Sequence, residues 1–61
     1  MNIGDKYHRN NKFYTVVTVP DFSLNLADQY VEIQDACGTK TTVNMLYFLM
    51  NYSKYIPTTL L

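Results

Sequence analysis

Apolar and polar residues alternate along much of the chain, which is the pattern of β-strands that bury one face. The strongest run, residues 13–19, is apolar on both faces and predicts a central strand, or one that curls so that its halves bury opposite faces. Residues 30–34 alternate cleanly, as expected of a strand with one solvated side. Residues 6–9 and 39–43 are predicted to be shorter strands.

Two turn signals join these strands into hairpins. Asn10 and Asn11 can adopt the positive φ values of a tight turn, so the strands on either side of them are predicted to pair. Asp35 and Gly38 bound a second turn with the composition of type I. In such a turn the Asp side chain accepts from the backbone at the start, and Gly takes the left-handed position at the end.

The segment between the hairpins, residues 22–29, has no clean period, and Pro20 ends the strand before it. We expect a loop here. The side chains of Leu24 and Leu26 are expected to pack against the core, from this loop or from a single helical turn.

A helical period begins after Asn44, which is an acceptable N-cap. The apolar residues at helical spacing are Met45, Leu49, Tyr52 and Ile56, with Phe48 beside them. One to three turns are predicted, ending at Pro57. Residues 58–61 are predicted to form a last strand or a frayed end.

The opposite face of this helix is not properly polar, because Leu46, Tyr47 and Met50 lie there among Asn51 and Lys54. Such a helix keeps apolar surface exposed unless something covers it. Met and Tyr are favoured in contact surfaces because they adapt and bury much area. Packing into the core and contact with another protein, or with a second copy of the chain, both remain open.

Composition bounds the class of protein. The 61 residues allow one domain, residues 1–61. This length is near the lower limit at which a chain can fold without disulfides or a bound metal. The chain is 48% hydrophobic and 16% charged, which is too apolar for a disordered segment. The net charge of zero provides no long-range attraction to nucleic acid or anionic lipid, although a local patch remains possible.

The single Cys37 and the single His8 exclude an internal disulfide and a four-ligand zinc site. A reducing cytoplasm fits this cysteine usage best. The longest apolar stretch, residues 45–50, is far below the roughly 20 residues of a membrane span, and no basic start precedes an apolar run. We therefore expect a cytoplasmic protein that is neither secreted nor anchored, with no metal and no cofactor.

Three stretches carry a family resemblance: GDKYH at 4–8, FYTV at 13–16, and IQD at 33–35 followed by Gly38, Val43 and Phe48. They resemble the pattern of short bacterial and phage domains of the SH3-like barrel type. The resemblance implies a mainly β fold, a small barrel of four or five antiparallel strands with one short helical segment near the C-terminus. It implies no catalytic residue, since such barrels bind peptides, nucleic acids or enzyme surfaces. The chain has no Trp, which argues against recognition of proline-rich ligands.

No constellation of residues points to catalysis. His8 lacks a nucleophile and an orienting group beside it in sequence and is interpreted as an exposed strand histidine. Cys37 is interpreted as a turn residue, and the acidic residues as solvated loop and strand positions. We expect the protein not to be an enzyme.

The first functional hypothesis is a non-enzymatic protein-interaction module that docks on a partner or forms a homo-oligomer. Its candidate contact residues are Leu46, Tyr47, Met50, Tyr55, Leu60 and Leu61. The small size and a residue usage typical of A/T-rich genomes favour an accessory or inhibitor protein of a phage or mobile element.

The alternative is a small barrel that binds nucleic acid through its first hairpin, where basic groups and aromatic rings are interleaved. Its candidate residues are Lys6, Tyr7, His8, Arg9, Lys12 and Tyr14. Strand alternation divides this set between two faces unless the hairpin twists strongly.

Overall fold

The computed structural model describes residues 1–56, which form one five-stranded antiparallel sheet and one α-helix. The strands are β1 (Lys6–Arg9), β2 (Lys12–Thr18), β3 (Tyr30–Asp35), β4 (Lys40–Asn44) and β5 (Ser53–Lys54). A 3₁₀ turn (Leu26–Asp28) precedes β3, and α1 (Met45–Asn51) lies between β4 and β5. This architecture confirms the predicted mainly β fold with one short helix. The expectations for Pro57 and for residues 58–61 lie outside the described residues.

The strand order is β4-β3-β2-β1-β5, so β2 is the central strand, as its two apolar faces predicted. The sheet is open, because within residues 1–56 the edge strands β4 and β5 each pair on one side only. The pairing of β2 with β3 shifts register between Val16 and Thr18. Such a bulge bends a strand and increases its local twist.

Both predicted turns are confirmed. Asn10 and Asn11 have φ values of 51° and 65°, which suit a two-residue hairpin turn. In the second turn Asp35 Oδ1 accepts from the backbone N–H groups of Cys37 and Thr39, both at 2.9 Å. Gly38 has a φ of +91°, a conformation that L side chains rarely adopt.

The inner face of the sheet carries the core. Cross-strand pairs place Tyr7 opposite Tyr14 and Val16 opposite Ile33. The fully buried side chains are Val16, Val31, Ile33 and Phe48, with Tyr7 and Met45 nearly so. The helix therefore contributes two side chains that cover this face, Met45 and Phe48.

The loop before β3 is held by polar contacts more than by apolar ones. Gln29, which is buried, donates through Nε2 to the carbonyl of Leu24 at 2.9 Å, and Asn44 Nδ2 donates to the carbonyl of Ala27 at 2.8 Å. Leu24 and Leu26 stay 47% and 41% exposed. The expectation that these two leucines anchor the core is therefore wrong.

The helix begins as predicted, and its seven residues make about two turns, within the predicted one to three. Asn44 caps it, its Oδ1 accepting from the N–H groups of Leu46 and Tyr47 at 3.0 and 3.4 Å. Tyr52 is already extended, with φ −116° and ψ 143°, and the next two residues pair with β1. The helical stripe predicted through Tyr52 to Ile56 is wrong beyond Asn51 because this stretch gives the edge of β1 a partner strand.

Candidate binding surfaces

The first candidate surface is the helix face, defined as the exposed side chains of Leu46, Tyr47, Leu49 and Met50. Their exposed fractions lie between 43% and 76%, with Met50 the most exposed. Leu49, expected in the apolar stripe of the helix, is instead half exposed, because the core-facing positions of this short helix are Met45 and Phe48. Five of the seven helical residues thus lie outside the core.

Tyr47 is fixed on this face by Arg9. Arg9 Nη1 donates to the Tyr47 hydroxyl at 3.0 Å, and the guanidinium carbon lies 5.6 Å from the Tyr47 ring centre and 5.5 Å from that of Tyr52. A guanidinium in this position is attracted to the faces of both rings. The Tyr52 side chain, and then the hydrogen bond to the Tyr47 hydroxyl, holds the pKa of Arg9 above its ordinary value.

The second candidate surface lies on the outer face of the sheet, opposite the core. Register places Lys6 beside Thr15, and Thr15 beside Gln34, in one row across three strands. His8 lies opposite Phe13, and the backbone N–H of Tyr55 donates to the carbonyl of Lys6 at 2.9 Å. These pairings carry three aromatic rings to one end of the outer face.

The three rings form an exposed cluster. The ring centres of Phe13 and Tyr55 are 5.2 Å apart and the planes meet at 83°, an edge-to-face arrangement. The His8 ring lies 6.2 Å from Phe13 and 6.5 Å from Tyr55. Phe13 is 50% exposed and Tyr55 41%, so the cluster offers ring surface to solvent.

Two depressions flank Phe13, and together they form what we call the outer groove. One has a volume of about 360 Å³ and the other about 310 Å³. Both are lined by Phe13, Asp35 and Ala36. The first adds Lys6, Thr15, Gln34 and Tyr55, and the second adds Asn11, Lys12 and Cys37. The groove thus lies between the first hairpin and the turn after β3.

The structure divides the residues predicted to contact a protein. Leu46, Tyr47 and Met50 lie together on the helix face, whereas Tyr55 lies on the outer face with His8 and Phe13. Leu60 and Leu61 lie outside the described residues.

The residues predicted to contact nucleic acid are divided as well. Lys6 and His8 are on the outer face, and Lys12 lines the second depression. Tyr7 is only 8% exposed and packs edge-on against Phe48. Arg9 contacts Tyr47 and Tyr52, and Tyr14 packs edge-on against Tyr52 at 5.2 Å, so neither faces the groove.

Phe13 and Gln34 were absent from both predicted sets. Phe13 could have been found, because a two-residue turn at Asn10 and Asn11 fixes His8 as its cross-strand neighbour. Gln34 carries no such local signal, since its place beside Thr15 depends on pairing between strands joined by a long loop.

Three further findings concern metal ligands, the cysteine and the helices of the described residues. No group of three or more His, Cys, Asp and Glu side chains within residues 1–56 is placed to hold a metal ion. Cys37 is a free, exposed thiol. None of the helices in the described residues is long and apolar enough to cross a membrane.

Comparison of the chain with protein-family models, with curated proteins and with solved structures finds no match. The fold and the two surfaces are therefore the basis for assigning a role.

Proposed function

We propose that this chain is a non-enzymatic protein-interaction module that docks on a partner protein through the helix face. The observation that carries the proposal is the exposure of Leu46, Leu49 and Met50, which stand at 43%, 50% and 76% on one short helix. These positions follow the i, i+3, i+4 spacing of residues that share a helix face. Amphipathic helices that meet a partner use anchors with this spacing.

The size of the helix face limits how it can bind. Covering the exposed parts of Leu46, Leu49 and Met50 contributes about 3–5 kcal/mol, at about 1.5–3 kcal/mol for a fully buried side chain. Association costs about 4–15 kcal/mol in lost translational and rotational freedom. The contact therefore has to extend past α1, and the 3₁₀ turn that packs against α1 carries Leu26, 41% exposed, as one extension.

The SH3-like assignment is part of this proposal. In support, β1 pairs with both β2 and β5, and a short helix precedes the two-residue strand β5. A cytoplasmic location agrees with the exposed free thiol of Cys37. The role of an accessory or inhibitor protein of a phage or mobile element rests on size and composition alone.

A second copy of the chain is the first partner to test. We expect the mass measured by light scattering to rise with concentration over roughly a hundredfold range, as mass action requires. Met50→Glu places a charge in the contact and is expected to abolish this rise. Ile3→Glu is the matched control, because Ile3 is 66% exposed at the other end of the chain and the charge change is the same.

A heterologous partner is tested by site-specific photo-cross-linking in extract of the native host. A photoreactive residue at position 50 is expected to give a discrete adduct that the same residue at position 3 does not give, and Leu46→Glu is expected to remove it. A strictly monomeric chain that also gives no adduct specific to position 50 would contradict the proposed function.

A further inference from the structure

The outer groove offers ring faces on a platform separate from the helix face. Edge-to-face packing of Phe13 against Tyr55 engages one face of one ring and leaves other ring faces open. Every nucleobase has a π-face, so exposed rings of this kind stack bases with little dependence on sequence. Bases in a duplex already stack on one another, which restricts this mode to unpaired bases.

The charges along the groove suit a phosphate backbone. Lys6 Nζ donates to a neutral group, Thr15 Oγ1, at 2.6 Å. Within residues 1–56 no carboxylate lies within ion-pair distance of Lys6 or Lys12. The groove thus carries two lysines against one carboxylate, Asp35.

Asp35 is the one acidic side chain that lines the groove, and it is hydrogen-bonded to the backbone of its own turn. Its Oδ1 accepts two backbone N–H groups at 2.9 Å, those of Cys37 and Thr39. These two bonds fix the orientation of the carboxylate, which keeps its negative charge. The two lysines that line the groove outnumber it.

The two lysines are spaced to contact one short ligand. Lys6 is the cross-strand neighbour of Thr15, and Lys12 lies three residues from Thr15 along β2. At about 3.4 Å per residue this places the two backbone positions roughly 10 Å apart along the strand. Strand alternation turns Lys12 toward the other face, and it lines the groove at the start of β2, beside Asn11 and Phe13. A ligand with regularly spaced negative charges and flat rings between them matches this order of groups.

We propose that the outer groove binds single-stranded nucleic acid. Bases stack on Phe13 and Tyr55, while Lys6 and Lys12 contact phosphates on either side. Gln34 contributes little base specificity, because its Nε2 already donates to the carbonyl of Gly38 at 3.0 Å. Binding is therefore broad in sequence, and its salt dependence is that of two phosphate contacts.

The test is fluorescence anisotropy of a labelled oligothymidylate, with the complementary duplex as comparison. Two phosphate contacts give a slope of log affinity against log salt of about −1.4, so affinity falls roughly sevenfold between about 50 and 200 mM salt. Phe13→Ala is expected to weaken binding by roughly 5-fold to 150-fold, the equivalent of losing one stacked base. The duplex is expected to bind more weakly than the single strand.

If Phe13→Ala fails to fold, two lysine variants still test whether the outer groove binds nucleic acid. Lys6→Gln and Lys12→Gln are each expected to reduce the salt slope by about 0.7. Lys54→Gln is the matched control, since Lys54 lies outside the groove and faces Asp5 at 3.7 Å. No binding at about 50 mM salt, equal affinity for the duplex, or an equal effect of Lys54→Gln would each overturn the proposal.

Discussion

At the scale of single residues, short polar side chains shape the loops of this protein. Asp21 Oδ1 accepts from the hydroxyl of Ser23 at 2.6 Å and from its N–H at 3.0 Å, so the chain turns directly after Pro20. Asp35 makes the equivalent contacts in the second turn. Such local bonds need only neighbouring residues, which is why Asp and Asn mark turns in a sequence.

The turn at Asp21 gives a pH dependence with a definite sign. Hydrogen bonds from Ser23, first from its hydroxyl and then from its N–H, hold the pKa of Asp21 below its ordinary value. A carboxyl group with a lowered folded-state pKa stabilises the fold above its unfolded-state pKa. That stability is lost as pH falls through the folded-state pKa.

We therefore expect Ser23→Ala to raise the pKa of Asp21, measured by NMR titration of the carboxyl carbon. In urea unfolding, the free energy of unfolding of Ser23→Ala is expected to approach that of the parent chain as pH falls through the folded-state pKa of Asp21. Ser53→Ala, an exposed serine in β5, is the control that leaves the Asp21 titration unchanged. An unchanged Asp21 pKa in Ser23→Ala would contradict this account.

At the scale of elements, Asn44 joins the end of β4, the start of α1 and the loop before β3. Its Oδ1 caps the helix, and its Nδ2 donates to the carbonyl of Ala27 at 2.8 Å and to that of Gln29 at 3.3 Å. The backbone N–H of Met45 adds a bond to the same Gln29 carbonyl at 2.8 Å. The Asn44 side chain therefore ties the start of the helix to the loop before β3.

We expect Asn44→Ala to lower the free energy of unfolding by about 1–2 kcal/mol, combining a lost N-cap with lost loop contacts. Asn51→Ala is the matched control at the other end of α1. Asn51 is exposed and its Nδ2 bonds only the carbonyl of Tyr47, so a change under about 0.5 kcal/mol is expected. Urea unfolding measures both, and equal losses would contradict a special role for Asn44.

The elements also show where sequence reasoning succeeds and fails. Both hairpin turns, the strands beside them and the N-cap were predictable because each depends on a few adjacent residues. The end of α1 was not, because Ser53 pairs with His8, which lies 45 positions earlier in the chain. The outer groove depends on the same long-range pairing, which brings Tyr55 to Phe13.

At the scale of the whole molecule, the core is small for the apolar content of the chain. Within residues 1–56 six apolar side chains form the buried core, while the large apolar side chains that remain exposed include Ile3, Phe22, Leu49 and Met50. A domain of this size buries only about 60% of the surface that its unfolded chain exposes. Its stability therefore depends strongly on each buried residue.

Phe48 and Leu49 are neighbours that test this dependence. Phe48 is 0% exposed, packs against Tyr7 at 4.6 Å and stacks on Tyr52 at 4.8 Å. Phe48→Ala is expected to cost about 3–5 kcal/mol, enough to unfold a marginal domain. Leu49→Ala, at a half-exposed position of the same helix, is expected to cost less than about 1 kcal/mol.

Circular dichroism and thermal unfolding of the two alanine variants make the comparison. A folded Phe48→Ala, or equal losses in both variants, would show that the core extends beyond the six residues assigned to it.

The short pairing of β5 with β1 has a consequence for how this domain can be combined with others. It places the backbone of Tyr55 within hydrogen-bonding distance of Lys6, so positions 6 and 55 are spatial neighbours. A brief linker could join them, and opening the chain between residues 21 and 25 would cut no strand but would break the turn that Asp21 holds. For the same reason the domain could be inserted into a host protein, at a surface loop whose two ends lie close together.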